Sequence, residues 1–270
     1  MVNVLLPTDF SDNSLHAFRY AAQLLGVQDV AYTLVHAYMD ADPSVSAWAG
    51  MAKELYTAAA EGMKDWERRV RATGEFAGAS LRTEVVYGPL PGVLAEMAAE
   101  RRADLVVMGT LGHSGAGILG SNAAAVVKHG GTPVLVVPAR AATAGLRRIV
   151  MAVDQKGIEA PAMAMLLHIA KRTGCEVVLA HVVRNPDEMP SPGLVAGYDG
   201  LLEGVPYRFV AEEGKDVAGV IDLLAEREGA GMIAVLHRHT GFLEGIFHAS
   251  TAKQLVLNVD VPLLVLRDKA

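Results

Sequence analysis

A glycine-rich segment in the first half of the chain has the composition of an anion-binding loop. Residues 109–122 read GTLGHSGAGILGSN, with five glycines, two serines and no acidic residue. Glycines let a main chain approach a ligand closely, and Gly120, Ser121 and Asn122 open a predicted helix. The unpaired N–H groups and positive dipole end of a helix start suit a phosphate. The segment therefore predicts a phosphate contact.

Asp9, in PTDFS after the first apolar run, is a second residue that could bind a ligand. A carboxylate at a strand end can accept hydrogen bonds from ribose hydroxyls or from an adenine amino group. Three more segments follow predicted strands, namely HAY (36–38), YGPL (87–90) and GTLG (109–112). Ligands of open α/β sheets bind outside the carboxyl ends of the strands, so a nucleotide would satisfy these groups together.

Ordinary helix capping explains the same residue types. Ser121 is a good helix N-cap, and Asp9 could cap the helix that begins near Ser11. A Walker-type GxxxxGK[ST] is absent, and PTDFSDNS after the first strand contains no glycine, so the dinucleotide fingerprint is absent too. Capping and nucleotide binding both remain open at this point.

Composition excludes several classes of partner. The chain has 270 residues, 51% of them hydrophobic and 20% charged, and a formal net charge of −6. A net negative charge disfavours general attraction to nucleic acid or to anionic lipid. A single cysteine, Cys175, cannot form an internal disulfide, MVNVLLPTDF lacks a basic leader, and no apolar run has membrane-spanning length. We therefore expect a cytoplasmic protein without a nucleic-acid or membrane partner.

The chain contains two copies of one pattern. VNVLLPTD (2–9) matches RRIVMAVD (147–154), and the offset of 145 also carries His36 onto His181. TPVLVVP and VPLLVL match at an offset of 129, because the second copy has lost residues. The stretch 139–145, ARAATAG, has the composition of a linker. We predict two domains, at 1–139 and 146–270.

Short apolar runs alternate with amphipathic segments in both copies. Strands that are apolar throughout, joined by helices, indicate a parallel sheet that is covered on both faces. Each copy is therefore predicted to be a doubly wound α/β unit with a five-stranded parallel sheet. Helical spacing predicts two buried faces in the first copy, one formed by Leu15, Phe18, Ala22 and Leu25 and one by Leu55, Ala59, Met63, Trp66 and Val70.

The chain resembles the universal stress protein family as a tandem, two-domain, UspA-like member. The resemblance is carried by VLLPTDFSDNSLHAFRYA, ADLVVMGTLGHSG and GSNAAAVVKHGGTPVLVVP. It implies an adenine nucleotide alpha-hydrolase-like fold, a regulatory role with little or no turnover, and an ATP site in the first copy, with ADP or AMP as alternatives and Mg²⁺ as an accompanying ion. The implied nucleotide-binding residues are Pro7, Thr8, Asp9, His36, Ala37, Met108, Gly109, Gly112, His113, Gly120, Ser121 and Asn122.

The glycine loop departs from the family pattern in length. Members with an ATP site carry GxxG, nine residues and G[ST], whereas seven residues separate Gly112 from Gly120 here. The resemblance implies that Asp9 and the segment 36–37 face adenine and ribose. It implies that Gly109 and Gly112 face ribose and the first phosphates, and that residues 120–122 hold the outer phosphates. A loop two residues short keeps the adenosine half and puts the fit of a triphosphate in question.

The second copy departs further. His237 aligns with Gly109, HRHTGFLEGIFHAST replaces the glycine loop, and VMAVDQKG keeps Asp154 but loses the proline, threonine and serine of PTDFS. We predict a degenerate copy that does not bind nucleotide and contributes interface. By resemblance, PVLVVP and PLLVLR pair at their edges, which gives a homodimer or an intramolecular pseudo-dimer.

Three rival functions remain open. The first is an enzyme in which Ser121 accepts a phosphoryl group or the site hydrolyses ATP, with His113 as the only nearby base. The second is an interaction module that binds no ligand. The third is a metal site in the second copy built from histidines, namely His181, His237, His239 and His248.

Overall fold

The computed structural model describes residues 1–39, 49–110, 120–142, 145–183, 185, 189–237 and 261–268. The chain divides into two compact units, Met1–Ala139 and Arg140–Ala270. Both units follow the alternation of strands and helices that the sequence predicts. Within the ranges described, no helix combines the length and the apolar character that crossing a membrane requires.

Unit 1 is a doubly wound α/β unit with an all-parallel sheet. Its elements are β1 (Val2–Pro7), α1 (Asp12–Leu25), β2 (Val30–Tyr38), α2 (Ala49–Ala72), β3 (Ser80–Tyr87), α3 (Leu90–Glu100), β4 (Leu105–Gly109), α4 (Ser121–His129) and β5 (Val134–Val137). The strand order is β3-β2-β1-β4-β5, and every pairing is parallel. The order reverses between β1 and β4, where such sheets bind ligands.

Unit 2 repeats this architecture. It contains β6 (Arg148–Val153), α5 (Ala160–Thr173), β7 (Glu176–Val183), α6 (Pro192–Leu201), β8 (Tyr207–Glu213), α7 (Val217–Glu228), β9 (Met232–His237) and β10 (Leu263–Arg267). Its strands run parallel in the order β8-β7-β6-β9-β10. The predicted fold class, two tandem doubly wound units with five-stranded parallel sheets, is confirmed.

The helical faces predicted for unit 1 pack on the sheet as expected. On α1 the buried residues include Phe18, Ala22 and Leu25, whereas Leu15 is partly exposed. On α2 the buried face is formed by Ala59, Met63, Trp66 and Val70, while Leu55 is partly exposed. Each large apolar side chain buried in this way contributes about 1.5–3 kcal/mol relative to exposure. The 3.6-residue periodicity thus placed both helices correctly.

The ends of α1 follow from local residue chemistry. Ser11 is the N-cap, and its side chain accepts the Ser14 backbone N–H at 3.2 Å. Gly26 ends the helix with φ 74, which a side chain would disfavour. The Ser11 cap fixes the start of α1 shortly after β1, so the β1–α1 turn has a defined shape.

Candidate functional site

Five of the implied site residues meet where the strand order of unit 1 reverses. Val4 pairs with Leu105 and Leu5 with Val106 in parallel register, so β1 and β4 end at the same edge of the sheet. The residues brought to this edge are Pro7, Thr8 and Asp9 after β1, and Met108 and Gly109 at the end of β4. The expected convergence of distant segments is therefore present on this part of the sheet.

The turn after β1 is held by a chain of hydroxyl hydrogen bonds. Thr8 is buried, and its N–H donates to Val35 O at 2.8 Å, which extends the pairing of β1 with β2. The Ser14 hydroxyl donates to Ser11 O at 2.8 Å. Thr8 is then the donor in its 3.0 Å contact with Ser14 Oγ, and Thr8 Oγ1 accepts the Phe10 N–H at 2.9 Å. The backbone on both sides of Asp9 is thereby fixed.

Asp9 is exposed at the end of this turn. Its Oδ1 accepts the Ser11 N–H at 3.1 Å, whereas the N-cap of α1 is Ser11 itself. The capping alternative is therefore correct only in part, because Asp9 shapes the turn that precedes the helix and does not cap it. An exposed carboxylate whose backbone is fixed on both sides is accessible to a ligand and needs little reorganisation to bind it.

His36 is engaged within the protein. Its Nδ1 lies 2.9 Å from Thr8 O, and since a carbonyl can only accept, Nδ1 carries the proton and Nε2 is the acceptor in the neutral ring. The Phe10 ring stacks on the imidazole at a centroid distance of 4.2 Å. Ala37 follows on the same strand, and successive side chains point to opposite faces. The side chains of His36 and Ala37 therefore do not face one ligand together.

Gly109 has a structural reason to be glycine. A Cβ at this position would lie 3.2 Å from Asn13 O and 3.4 Å from Asn13 Cβ. The end of β4 thus touches the first turn of α1 through backbone, and a side chain would separate them. This contact brings the end of β4 close to the Asp9 turn.

Gly120 brings the start of α4 back to the end of β4. Its N–H donates to Thr110 O at 2.6 Å, and Gly120 is buried as the N-cap of α4 with φ −58 and ψ 154. Ser121 and Asn122 follow as the first helical residues, and both are exposed. The alternative in which Ser121 caps the helix does not hold, because Gly120 occupies the N-cap position.

The electrostatics of α4 favour an anion at its start. The first turn contains no acidic residue, and the last turn carries Lys128 and His129. The first N–H groups of a helix lack intrahelical acceptors, and the dipole adds partial positive charge there. Gly112 and His113 lie in the segment 111–119, outside the described residues.

Two residues beside the site were missed by sequence reasoning. Phe10, with φ 64, has its ring in contact with both His36 and Trp66. Gly62, in the interior of α2, lies directly against that ring. A glycine inside a long helix with a regular apolar face was a usable signal. Glycine weakens a helix, so its presence in the interior indicates a position where close packing leaves no room for a side chain.

Unit 2 preserves the framework of the β1 turn. His181 Nδ1 donates to Val153 O at 3.1 Å, and Asp154 Oδ1 accepts the Lys156 N–H at 2.9 Å. These contacts reproduce those of His36 and Asp9. The histidine and aspartate are therefore shared features of the fold in both units.

The register of β9 corrects the predicted alignment of the second copy. Val4 pairs with Leu105 and Ile149 with Met232, so β4 and β9 correspond at an offset of 127 (232 − 105). Leu236, not His237, thus occupies the place of Gly109 (236 − 109 = 127). A leucine side chain therefore stands in unit 2 where unit 1 has none.

The predicted histidine metal site can be followed only in part. His239 and His248 lie outside the described residues, while His181 and His237 lie within them. Among the residues that are described, no group of three or more His, Cys, Asp or Glu side chains is placed to hold a metal ion.

The fold defines an α/β protein built from two tandem doubly wound units with parallel sheets. The model of the universal stress protein family matches residues 1–138 and again residues 145–267. The chain belongs to this family as a tandem two-domain member.

Relatives of known sequence or structure agree with this assignment. Universal stress protein MJ0531 of Methanocaldococcus jannaschii is 32% identical over 141 residues, which cover 50% of this chain and 80% of the relative. A universal stress protein from Archaeoglobus fulgidus superposes with a TM-score of 0.74 at 20% identity, covering 98% of this chain and 96% of that one. A universal stress protein structure from Pseudomonas aeruginosa gives a TM-score of 0.59 at 17% identity, over 98% and 92% of the two chains. The two structures support the fold.

Proposed function

We propose that unit 1 binds one adenine nucleotide at the carboxyl ends of β1 and β4, with ATP as the first choice. The observation that carries the proposal is the 2.6 Å hydrogen bond from the Gly120 N–H to Thr110 O. It brings the anion-favouring start of α4 to the strand edge that also presents the exposed carboxylate of Asp9. A ligand with hydroxyl donors at one end and phosphates at the other matches this pair of groups.

The proposed contacts divide between two ends of the site. Asp9 accepts hydrogen bonds from ribose or from the adenine amino group, with Pro7 and Thr8 forming the floor of the turn. Met108 and Ala37 offer apolar contact to the base. Ser121 and Asn122 bind phosphate through their backbone N–H groups at the start of α4 and through the Ser121 hydroxyl. Gly120, whose own N–H donates to Thr110 O, lets the phosphate approach the backbone closely.

The length of the glycine loop decides how many phosphates the site can hold. The segment 113–119 is two residues shorter than the nine of the family pattern, so ADP and AMP are the alternatives to ATP. Mg²⁺, where it accompanies the nucleotide, would depend mainly on phosphate oxygens, because the first turn of α4 contains no carboxylate.

We further propose a regulatory role in the stress response with little or no turnover. Phosphoryl transfer needs a coordinated metal and a group that orients the nucleophile. The first turn of α4 supplies no acid for either task. A first turn of α4 without an acidic residue therefore fits a site that binds nucleotide but does not hydrolyse it efficiently. In such a protein the regulatory signal is whether the site holds nucleotide.

Nucleotide titration of matched aspartate variants tests the proposal. The chain is purified without added nucleotide, any small molecule released on denaturation is identified, and ATP, ADP and AMP are titrated by calorimetry with and without Mg²⁺. Asp9→Ala is compared with Asp154→Ala, because each removes a carboxylate that accepts a backbone N–H two residues later. We expect Asp9→Ala to weaken binding about tenfold or more, since charge-assisted hydrogen bonds contribute about 1.5–3 kcal/mol, and Asp154→Ala to leave it unchanged.

The outcomes separate the alternatives. Absence of binding at millimolar concentration, with nothing co-purifying, refutes the nucleotide site. Equal loss of affinity in both variants shows that the aspartates act only through folding. Phosphate release above background, abolished by Asp9→Ala, establishes the enzyme alternative. Equal affinities for AMP and ATP show that the short loop does not engage the outer phosphates.

Domain boundaries, assembly and location are proposed separately. We propose domains at 1–139 and 146–270, a homodimer or an intramolecular pseudo-dimer, and a cytoplasmic location. Light scattering of the purified chain gives its oligomeric state, and limited proteolysis locates the boundary. Cleavage confined to 139–145 is the expected result.

A further inference from the structure

Phe10 adopts a backbone conformation that bulky residues rarely show. Its φ is 64, in the left-handed region, where a Cβ clashes with the neighbouring carbonyl. The conformation is held by the Phe10 N–H donating to Thr8 Oγ1 at 2.9 Å and by stacking of the ring on His36. The ring also lies near Trp66, at a centroid distance of 5.8 Å. A strained residue next to a candidate ligand group suggests a positioning role.

Gly62 supplies the space that the Phe10 ring occupies. It lies in the interior of α2, where glycine destabilises a helix relative to alanine. A Cβ at this position would lie 3.1 Å from Cε2 and 3.4 Å from Cζ of Phe10. Even one methyl group would therefore force the ring to shift by a few tenths of an ångström. Gly62 destabilises the helix, and its contact with the Phe10 ring explains why a residue without a side chain stands there.

We propose that Gly62 is a positioning residue for the nucleotide site. The missing side chain lets α2 pack against the Phe10 ring and hold it on the His36 imidazole. Because Phe10 follows Asp9 directly, the ring position sets the direction in which the Asp9 carboxylate leaves the turn. The effect on ligand affinity rests on the proposed function, whereas the effect on the ring does not.

Unit 2 provides an internal comparison. Gln155 stands at the position of Phe10, at the offset of 145 that relates Asp9 to Asp154. His181 instead stacks at a longer centroid distance, 6.4 Å, on Phe209, a ring supplied by β8. The unit in which Leu236 takes the place of Gly109 thus has no phenylalanine in the turn that follows its aspartate. The Phe10–Gly62 contact therefore belongs to the unit with the more complete set of candidate binding residues.

Two readouts test the proposal in Gly62→Ala and Gly62→Leu. The first is the NMR resonance of the His36 imidazole protons, assigned with His36→Gln, which the stacked Phe10 ring shifts upfield. The second is the dissociation constant for ATP. Gly197→Ala is the matched control, because Gly197 lies in the interior of α6 and a Cβ there meets nothing within 4 Å. Thermal melting confirms that all variants fold.

We expect graded effects that depend on Phe10. Gly62→Ala should move the His36 resonances downfield and weaken ATP binding about fivefold, as small overpacking does, with a larger effect in Gly62→Leu. In a Phe10→Ala background, Gly62→Ala should leave the affinity unchanged. Unmoved His36 resonances in Gly62→Leu, or an equal loss of affinity with and without Phe10, overturns the proposal. If the wild-type chain binds no nucleotide, the proposed function fails, and the His36 resonances alone decide whether Gly62 positions the ring.

Discussion

The contact between Gly109 and Asn13 makes a quantitative prediction for Gly109→Ala. The added Cβ would lie 3.2 Å from Asn13 O and 3.4 Å from both Asn13 C and Asn13 Cβ. Two of these atoms are backbone in the first turn of α1, so they cannot rotate away as a flexible side chain would. Overpacking of this kind costs about 1–3 kcal/mol of folding free energy. Because the backbone of Asn13 would need to move by only a few tenths of an ångström, we expect a cost in the lower half of that range, about 1–2 kcal/mol.

A second effect acts in the opposite direction. Replacing glycine by alanine restricts the unfolded chain and stabilises the fold by about 0.4–1 kcal/mol where the native backbone tolerates a side chain. The net destabilisation expected for Gly109→Ala therefore lies between about 0 and about 1.6 kcal/mol, with a midpoint of about 0.8 kcal/mol. Gly131→Ala is the control, because a Cβ at 131 meets nothing within 4 Å and the φ there is not left-handed. Only the stabilising effect should appear in it.

Denaturant unfolding followed by tryptophan fluorescence measures this difference in unit 1. Trp66 is buried in unit 1, and the sequence has no tryptophan between residues 140 and 270, so tryptophan emission reports the unfolding of unit 1 separately from unit 2. Gly109→Ala should fall below wild type in free energy of unfolding, and Gly131→Ala should rise above it. If Gly109→Ala is as stable as Gly131→Ala, the close approach of β4 to α1 is not a constraint, and the structural account of Gly109 is refuted.

Three further predictions concern groups near or outside the site. Thr8→Val should destabilise unit 1 by about 1–3 kcal/mol in denaturant unfolding, because the Phe10 N–H loses its acceptor; an unchanged free energy contradicts this. Burial raises the pKa of Glu75, but hydrogen bonds from Arg19, from Thr73 and from the Glu75 backbone, together with the Arg19 charge, outweigh burial and lower the net pKa. The stability that the ionised Glu75 contributes is therefore present above pH 4.5 and lost as pH falls further; Glu75→Gln should remove that part of the pH dependence of melting. Burial raises the pKa of the Cys175 thiol, so disulfide reagents should modify it only after unfolding; rapid labelling of the native chain would contradict its buried position.

The fold was predictable because its determinants are local or repeated. Apolar strands alternating with amphipathic helices specify a doubly wound sheet, and the offset of 145 doubles that evidence. The buried face of α2 followed from helical spacing alone, as Met63, Trp66 and Val70 show. These inferences need only to know which residues are apolar and at what spacing the apolar residues recur along the chain.

The register of the fourth strand in unit 2 was not predictable in the same way. Aligning the apolar runs put His237 opposite Gly109, whereas the pairing with β6 puts Leu236 there. Strands covered on both faces are apolar at every position, so a shift by one residue leaves the pattern unchanged. A sheet with one polar face would have fixed the register from the sequence.

The internal order of the candidate site was also beyond the sequence. Nothing in PTDFS shows that Thr8 accepts the N–H of Phe10, or that Phe10 takes a left-handed conformation. The position of the Phe10 ring depends further on contacts with α2, which lies some 50 residues along the chain. Long-range packing of this kind leaves a trace only at Gly62, where a helix accepts a residue that weakens it.

Comparison of the two units separates folding residues from candidate binding residues. The aspartate turn and the histidine–carbonyl hydrogen bond occur in both, so folding alone explains their presence. Gly109 and Phe10 have no counterpart of the same type in unit 2, where Leu236 and Gln155 stand. The shared turn forms in unit 2 without a glycine or a phenylalanine at these positions. The presence of Gly109 and Phe10 therefore needs an explanation that applies to unit 1 alone. For the same reason, the loss of affinity in Asp9→Ala has meaning only relative to Asp154→Ala, which removes the same turn contact from a unit that we propose does not bind.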